Sequence, residues 1–240
     1  MSKTQRLDKL LSNMGHGTRK EIKLIIKKGL VKVDGNVVKD GSQHINPDTS
    51  LVDINGETLE YREFIYLMMN KPQGVLSASF DYRAETVVDL IDEKYQVYQP
   101  FPVGRLDKDT EGLLVLTNDG KLTHEILAPK KHVPKTYYAK VEGVVDEVDI
   151  HSFQQGVELD DGYKTLPAHL SIISKGDISE ITLIIFEGKF HQVKRMFQAV
   201  NKKVIFLKRM SMGKLQLDEN LELGEYREMT EAEINRLKME

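Results

Sequence analysis

The chain contains no cysteine among its 240 residues, and this absence limits the chemistry it can perform. Disulfides and thiolate metal sites are excluded, as is typical of proteins that work in a reducing cytosol. No apolar run approaches the ~18 residues of a membrane span, and residues 1–30 lack the apolar core of a secretory signal. The seven histidines form no His-Glu-x-x-His pattern, so no metal site is predicted. We therefore expect a cytoplasmic protein without a metal.

Charge is distributed unevenly, although the net charge is only −3. Residues 1–39 hold ten basic and three acidic residues, and residues 186–214 hold eight basic residues and one acidic residue, so each stretch is +7. Residues 215–240 hold three basic and eight acidic residues, a local −5. Two concentrated basic zones in an acidic protein are typical of a polyanion binder. The alternative is that such lysine-rich faces are only solvated.

Residues 1–60 have the pattern of a small, separate module. Thr18 and Glu21 predict a capping box at the start of a helix that ends at Gly29. The Asp34-Gly35 pair predicts a hairpin turn between two short strands. Two short helices and a small sheet would present one cationic face, for which we predict phosphate contacts from Arg6, Arg19, Lys20, Lys23 and Lys27.

The remainder, residues 64–240, is predicted to form an α+β domain with a mostly antiparallel mixed sheet. Strands are expected at 64–69, 113–117, 136–142, 166–174, 179–186 and 203–210. Helices are expected near 86–92, 120–127, 146–154 and 190–200. Thr230 followed by Glu233 predicts a capping box for a last helix.

The most informative stretch of the chain runs from Gly104 to Gly120. Its second half predicts a buried strand closed by an Asn-Asp-Gly turn. Its first half places Arg105, Asp107 and Asp109 on the loop that enters this strand. A rigid apolar strand beside charged loop residues is a typical support for a working carboxylate.

This stretch resembles the catalytic motif of RNA pseudouridine synthases of the RsuA branch, in which the aspartate of Gly-Arg-Leu-Asp is the nucleophile. The resemblance extends to Lys-Thr-Tyr at 135–137, to residues 187–197, and to residues 1–60, which are similar to the RNA-binding module of ribosomal protein S-four. It implies that Asp107 is the nucleophile, that Tyr137 stacks on the target base and that Lys194 pairs with Asp107. Because many family members have arginine at the position that Lys194 occupies here, Arg195 remains the alternative partner of Asp107.

Other residues are predicted to serve the site less directly. Arg105 could bind a phosphate of the flipped nucleotide, fill the space that the base leaves, or form only a structural salt bridge. Asp109 is interpreted as a turn-stabilising group, and His191 and Gln192 as hydrogen-bonding groups at a helix end. Phosphate contacts are predicted for Arg195, Lys202, Lys203, Lys208 and Arg209.

The resemblance implies a cofactor-free isomerase that converts a uridine of ribosomal RNA into pseudouridine, with 16S rRNA of the small subunit as the expected target. We expect a monomer that acts on a small-subunit assembly intermediate. The alternatives are a non-catalytic RNA-binding or ribosome-assembly factor, and a synthase that acts on large-subunit rRNA. An RNA methyltransferase is disfavoured, because the sequence has no Gly-x-Gly-x-x-Gly loop.

Overall fold

The computed structural model describes residues 4–59 and 61–238, which fall into two compact units. The first unit consists of the described chain up to Ile65 together with the separate segment Asp92–Gln99. The second unit consists of Tyr66–Ile91 and the chain from Pro100 onward. Within the described ranges, no helix has the length and apolar character needed to cross a membrane.

The first unit packs two helices against short antiparallel strands. Its elements are β1 (Gln5–Arg6), α1 (Leu7–Asn13), α2 (Arg19–Lys27), β2 (Val31–Val33), β3 (Asn36–Val37), β4 (His44–Ile45), β5 (Val52–Ile54) and β6 (Glu57–Leu59). One sheet has the order β3-β2-β5-β6, and β1 pairs with β4. Apolar side chains of α1 and α2, including Leu7, Leu11 and Ile22, are fully buried against the sheet. The polar side of α2 is left exposed.

Two local predictions for this unit are confirmed. The Thr18 backbone N–H donates to Glu21 Oε2 at 2.7 Å, and the Glu21 N–H donates to Thr18 Oγ1 at 3.4 Å, which completes the capping box. β2 and β3 pair antiparallel around Asp34 and Gly35, whose φ angles of 51° and 80° suit a tight hairpin turn.

The second unit is built on one large mixed sheet. Its strands are β7 (Tyr66–Lys71), β8 (Phe101–Pro102), β9 (Glu111–Thr117), β10 (Lys135–Glu142), β11 (His169–Ser174), β12 (Ile178–Ile185), β13 (Lys203–Met212), β14 (Leu215–Gln216) and β15 (Tyr226–Glu228). The helices that follow residue 91 are α3 (Glu93–Gln96), which belongs to the first unit, and α4 (Gly120–Leu127), α5 (Glu147–Gln155), α6 (Gln192–Ala199) and α7 (Glu231–Lys238).

The strand β9 lies inside this sheet, whose main order is β11-β12-β10-β13-β9-β7-β15. All seven residues of β9 are buried. Its contact with β13 is the only parallel pairing between neighbours in this order, and Gly112 faces Arg209 there. A Cβ on Gly112 would lie 2.2 Å from the Arg209 carbonyl oxygen, so this close approach requires glycine. The loop before β9 therefore leads into the rigid interior of the domain.

The predicted α+β class with a mostly antiparallel mixed sheet is confirmed, and the six predicted strands are present with ends shifted by at most three residues. The helix predicted near 86–92 is wrong. There the Thr86 N–H and hydroxyl both donate to Asp89 Oδ2 at 2.8 Å, and the Val87 N–H donates to the Leu76 carbonyl at 2.9 Å. These bonds close a turn against the preceding chain, and helix forms only at Glu93–Gln96.

Candidate active site

The loop before β9 is held by a buried lysine at the end of β7. Lys71 Nζ donates to the carbonyl oxygens of Pro72 at 2.8 Å, Asp107 at 3.2 Å and Thr110 at 3.1 Å. Burial lowers the pKa of Lys71 to about 8, against the opposing influence of the carboxylates of Asp109 and Asp107. These hydrogen bonds fix the backbone of the loop, and the Asp107 side chain lines the pocket.

A single lysine from α6 contacts both carboxylates of this loop. Lys194 Nζ lies 3.1 Å from Asp107 Oδ2 and 2.5 Å from Asp109 Oδ1. Burial alone would lower the pKa of Lys194, but the hydrogen bonds to the two carboxylates outweigh it and raise the pKa above its usual value. Asp109, interpreted from the sequence as a turn residue, is therefore also part of this charged cluster.

His191 contacts the cluster from the start of the same helix. Its Nε2 lies 3.6 Å from Asp107 Oδ1, and its ring stacks on Phe190 with centroids 3.7 Å apart. The sequence-based interpretation of His191 as a helix-end hydrogen-bonding group is wrong, because its side chain makes no cap hydrogen bond. His191 precedes the first residue of α6 and has left-handed backbone angles, φ 48° and ψ 32°, so helical spacing does not predict its approach to Asp107.

Tyr137 lines the same pocket as Arg105, Asp107 and Thr110. It lies in β10 and only 8% of it is exposed, so its ring is held by the sheet rather than by a loop. The next residue, Tyr138, points to the other face of the strand and packs edge-on against Phe206. Asp107 and Tyr137, from two separate sequence motifs, thus line one pocket, and Lys194, from a third motif, contacts Asp107.

The start of α6 is anchored by the carboxylate of Glu187. Its Oε1 accepts hydrogen bonds from the Leu166 N–H at 2.9 Å and Gln192 Nε2 at 2.8 Å, and its Oε2 accepts one from the Tyr163 hydroxyl at 2.6 Å. Gln192 Oε1 also accepts from the Lys189 N–H at 2.8 Å. Gln192 therefore makes the helix-end hydrogen bonds that its position predicted, and this network holds the helix that carries Lys194.

Two arginines predicted to bind phosphate have partners within the protein. Arg195 pairs with Asp160 and with Asp161, the latter at 2.7 Å, and makes no ion pair with Asp107. Only 2% of Arg209 is exposed, and its Nε donates to the Leu113 carbonyl at 2.8 Å. A surface phosphate contact by Arg209 is contradicted by this burial. Lys202 is likewise paired, with Asp149 at 2.8 Å.

The other predicted RNA contacts lie at accessible positions. Arg105 is exposed at the rim of the pocket, and Lys208 is partly exposed on β13. Arg6 is exposed and pairs with Asp8 at 2.7 Å. The exposed basic side chains of α2 form no ion pair with any described residue; they are Arg19, Lys20, Lys23 and Lys27. Across residues 4–59 and 61–238, no group of three or more His, Asp or Glu side chains could hold a metal ion.

Two family models match the chain. The model of the RNA pseudouridylate synthase family matches residues 65–199, and that of the S4 domain matches residues 5–50. An uncharacterised RNA pseudouridine synthase of Bacillus subtilis is 54% identical, with 97% of this chain and 98% of the relative covered. The ribosomal small subunit pseudouridine synthase A of Vibrio cholerae is 41% identical, with 95% and 97% covered.

A second protein of Bacillus subtilis, the ribosomal large subunit pseudouridine synthase B, is 38% identical, with 98% of this chain and 96% of the relative covered. A crystal structure of a pseudouridylate synthase superposes with a TM-score of 0.68 at 37% identity, covering 97% of this chain and 99% of that one. This chain therefore belongs to the RNA pseudouridylate synthase family, the isomerases that act on RNA, and carries an N-terminal S4 domain.

Proposed function

We propose that Asp107 is the nucleophile with which this synthase isomerises uridine. The observation that carries the proposal is the direct contact of its carboxylate with Lys194, 3.1 Å away, in a pocket that also contains Tyr137. A carboxylate can act as an enzymic nucleophile, and the ion pair with Lys194 fixes the position of this one at the pocket. The cluster therefore keeps a reactive group ready at the pocket.

The reaction needs one bond to break and another to form at the same ribose carbon. Attack of the Asp107 carboxylate at C1′ breaks the bond between C1′ and N1 of uracil and releases the base as an anion. The base then rotates, and its C5 forms the new bond to C1′ as the carboxylate leaves. C5 loses its proton and N1 gains one, so atoms and charge balance. Tyr137 supplies a ring against which the base is held during the rotation.

Extraction of the base from its helix or loop costs a few kcal/mol, which protein contacts must offset. We propose that Arg105, exposed beside the pocket, binds a phosphate of the flipped nucleotide or occupies the vacated space. We also propose that residues 1–60 act as an RNA-binding module and residues 64–240 as the catalytic domain. The unpaired basic side chains of α2 support the first of these roles.

We propose that the substrate is 16S rRNA within an assembly intermediate of the small subunit, and that the enzyme acts as a cytoplasmic monomer. Support comes from the similarity to the small-subunit enzyme of Vibrio cholerae, at 41% identity. A second candidate target is large-subunit rRNA, which is favoured by the 38% identity to the large-subunit enzyme of Bacillus subtilis.

The target is tested by mapping pseudouridine in both rRNAs from cells that lack the gene. Loss of one site in 16S rRNA, restored by the parent gene, is the expected result. Loss of a site in 23S rRNA instead would establish the second candidate. Unchanged maps of both rRNAs would contradict the proposed substrate class.

The nucleophile is tested with Asp107→Asn, which keeps the size of the side chain but removes its charge. We expect no measurable isomerisation, with RNA affinity nearly unchanged, because the loss falls on the chemical step. Asp109→Asn is the matched control, since Asp109 contacts the same lysine. Turnover of the Asp107 variant within tenfold of the parent, or loss of turnover in Asp109→Asn alone, would show that the wrong carboxylate was chosen.

A further inference from the structure

Residues 77–85 of the second unit form a surface loop whose two ends are joined by backbone hydrogen bonds. The Leu76 N–H donates to the Glu85 carbonyl at 2.9 Å, and the Val87 N–H donates to the Leu76 carbonyl at 2.9 Å. A loop closed at its base in this way is a compact structure that can present side chains in a defined place.

This loop exposes two aromatic rings that contact each other. Tyr82 is 93% exposed and Phe80 is 64% exposed. Their centroids are 4.8 Å apart and the rings are nearly perpendicular, at 82°. In an edge-to-face pair only one of the four ring faces is covered by the partner ring, so flat apolar surface is left open to solvent. Exposed apolar surface of this kind is characteristic of binding sites.

The turn that carries the rings is fixed by the residue between them. Asp81 Oδ1 accepts hydrogen bonds from the Arg83 N–H at 2.8 Å and the Ala84 N–H at 3.0 Å. Arg83 is exposed and forms no ion pair with any residue that the structure describes. An exposed arginine therefore follows the two rings in the chain.

The loop is attached directly to the segment that carries Asp107. Ser77 Oγ donates to the Leu106 carbonyl at 2.9 Å and accepts from the Leu106 N–H at 3.1 Å. The Gly74 N–H donates to the Lys108 carbonyl at 2.7 Å. Since three residues span at most roughly 11 Å, Phe80 lies within that distance of Ser77, whose side chain is bonded to the residue before Asp107.

We propose that Phe80 and Tyr82 form a stacking platform for an unpaired nucleotide that flanks the target uridine, with Arg83 near its phosphate. The proposal rests on the proposed function only in that the substrate is RNA. Removal of a uridine from its helix or loop leaves neighbouring bases unpaired, and such bases stack on exposed aromatic side chains. Two rings would bury up to roughly 500 Å², less than the ~800 Å² that each partner contributes to a stable protein interface.

The chain contains no tryptophan, so a single one can report on this site. In Tyr82→Trp we expect the indole fluorescence to be quenched by a single-stranded oligouridine of twelve nucleotides, but not by polyphosphate, which matches its charge without bases. Val148→Trp is the control, because Val148 is 72% exposed on α5 of the same unit. Quenching in the control but not in Tyr82→Trp would overturn the proposal, as would equal quenching of Tyr82→Trp by polyphosphate.

The double variant Phe80→Ala, Tyr82→Ala measures the contribution of stacking. We expect its affinity for the same oligouridine to fall at least about fivefold, with an unchanged salt dependence, because no charge is removed. Tyr82→Phe should bind within twofold of the parent. The temperature of thermal unfolding of the double alanine variant should equal that of the parent, since both rings are exposed. Unchanged affinity would overturn the platform, and so would a change of oligomeric state in the double variant, which would assign the rings to a protein contact.

The two proposals can fail separately, because quenching and affinity do not require turnover. If oligouridine quenches the fluorescence of Tyr82→Trp but the parent protein isomerises no uridine, the platform is supported and the proposed chemistry is contradicted. If the parent protein is active, but the fluorescence of Tyr82→Trp is not quenched and the double alanine variant binds as tightly as the parent, only the platform is overturned.

Discussion

At the scale of single residues, Lys194 holds two carboxylates at once, and this determines what its replacement should do. Lys194→Ala leaves Asp107 without its cation, and loss of a charge-assisted hydrogen bond costs about 1.5–3 kcal/mol. We therefore expect kcat to fall at least about tenfold, whereas Lys194→Arg should keep part of the activity because the cation remains. Single-turnover kinetics of both variants check this. An alanine variant with the parent rate would exclude Lys194 as the functional partner of Asp107.

Tyr137 combines a ring that can stack with a hydroxyl, and two substitutions separate these groups. Tyr137→Phe should retain RNA affinity, so that any loss of turnover is assigned to the hydroxyl. Tyr137→Ala removes the stacking surface, which is worth about 1–3 kcal/mol per base, and should lower kcat/KM further. Tyr138→Ala, on the opposite face of β10, is the control for general damage to the strand. If the two alanine variants were equally impaired, the loss would reflect strand packing rather than stacking.

The residues of the site differ in how readily the sequence reveals them. The ordered motifs predicted Asp107, Tyr137 and Lys194 as site residues. In the structure Asp107 and Tyr137 line one pocket, and Lys194 contacts Asp107. The charge of Arg209 suggested a phosphate contact. However, Arg209 lies two positions after Leu207 on the same strand, so both side chains point to the same, buried face of the sheet. Hydrogen bonds such as those from Lys71 to the carbonyls of Asp107 and Thr110 depend on backbone far along the chain and leave no local pattern.

At the scale of secondary-structure elements, α7 is attached to the sheet through Glu233. Its carboxylate accepts hydrogen bonds from the Thr230 N–H at 2.8 Å and from two nitrogens of Arg227, at 2.7 and 2.9 Å. The hydrogen bonds from Arg227, opposed by burial, lower the pKa of Glu233 to about 2. The capping box was predicted from the sequence, but the ion pair with β15 depends on the tertiary fold.

The lowered pKa of Glu233 predicts a dependence of stability on pH. Because its folded pKa lies below the unfolded value, its contribution is fully present above about pH 4.5 and is lost as the pH falls through about 2. After allowance for screening by solvent, Glu233→Gln should cost about 1–2 kcal/mol at pH 7. Glu231→Gln, at an exposed position of the same helix, is the control. Urea unfolding at pH 7 and near pH 2 checks this, and a difference that persists at the lower pH would contradict it.

The elements themselves follow from local pattern more readily than their pairing does. Apolar runs predicted the strands, and Thr18, Glu21 and Asp34-Gly35 set local boundaries that the structure reproduces. The parallel contact of β13 with β9 joins residues nearly 100 positions apart and depends on Gly112, so no short-range signal predicts it. The incorrect prediction of a helix near 86–92 has the same origin, since the Val87 N–H donates to the Leu76 carbonyl, eleven residues earlier, rather than within a helix.

At the scale of the whole molecule, the basic side chains of α2 belong to a compact unit that extends beyond Ile65. Asp92–Gln99 is part of the same unit, and a Cβ on Gly15 would lie only 2.4 Å from Val97 Cγ1, so the two segments are closely packed. Deletion of residues 1–60 would therefore uncover Val97 as well as remove charge. Substitution of single lysines is the cleaner test of the electrostatic role.

We expect the combined variant Lys20→Gln, Lys23→Gln, Lys27→Gln to bind RNA more weakly and with a shallower dependence on salt. Each lost phosphate contact should reduce the log–log slope by about 0.7 for single strands or 0.9 for a duplex, so three contacts reduce it by about 2–3. Glutamine has a helix propensity close to that of lysine, so α2 and its Thr18–Glu21 capping box should persist. Lys175→Gln, which removes a charge paired with Glu147, is the control and should leave the slope unchanged. Salt titrations of all three proteins measure this, and an unchanged slope in the triple variant would mean that the basic face of α2 is only solvated.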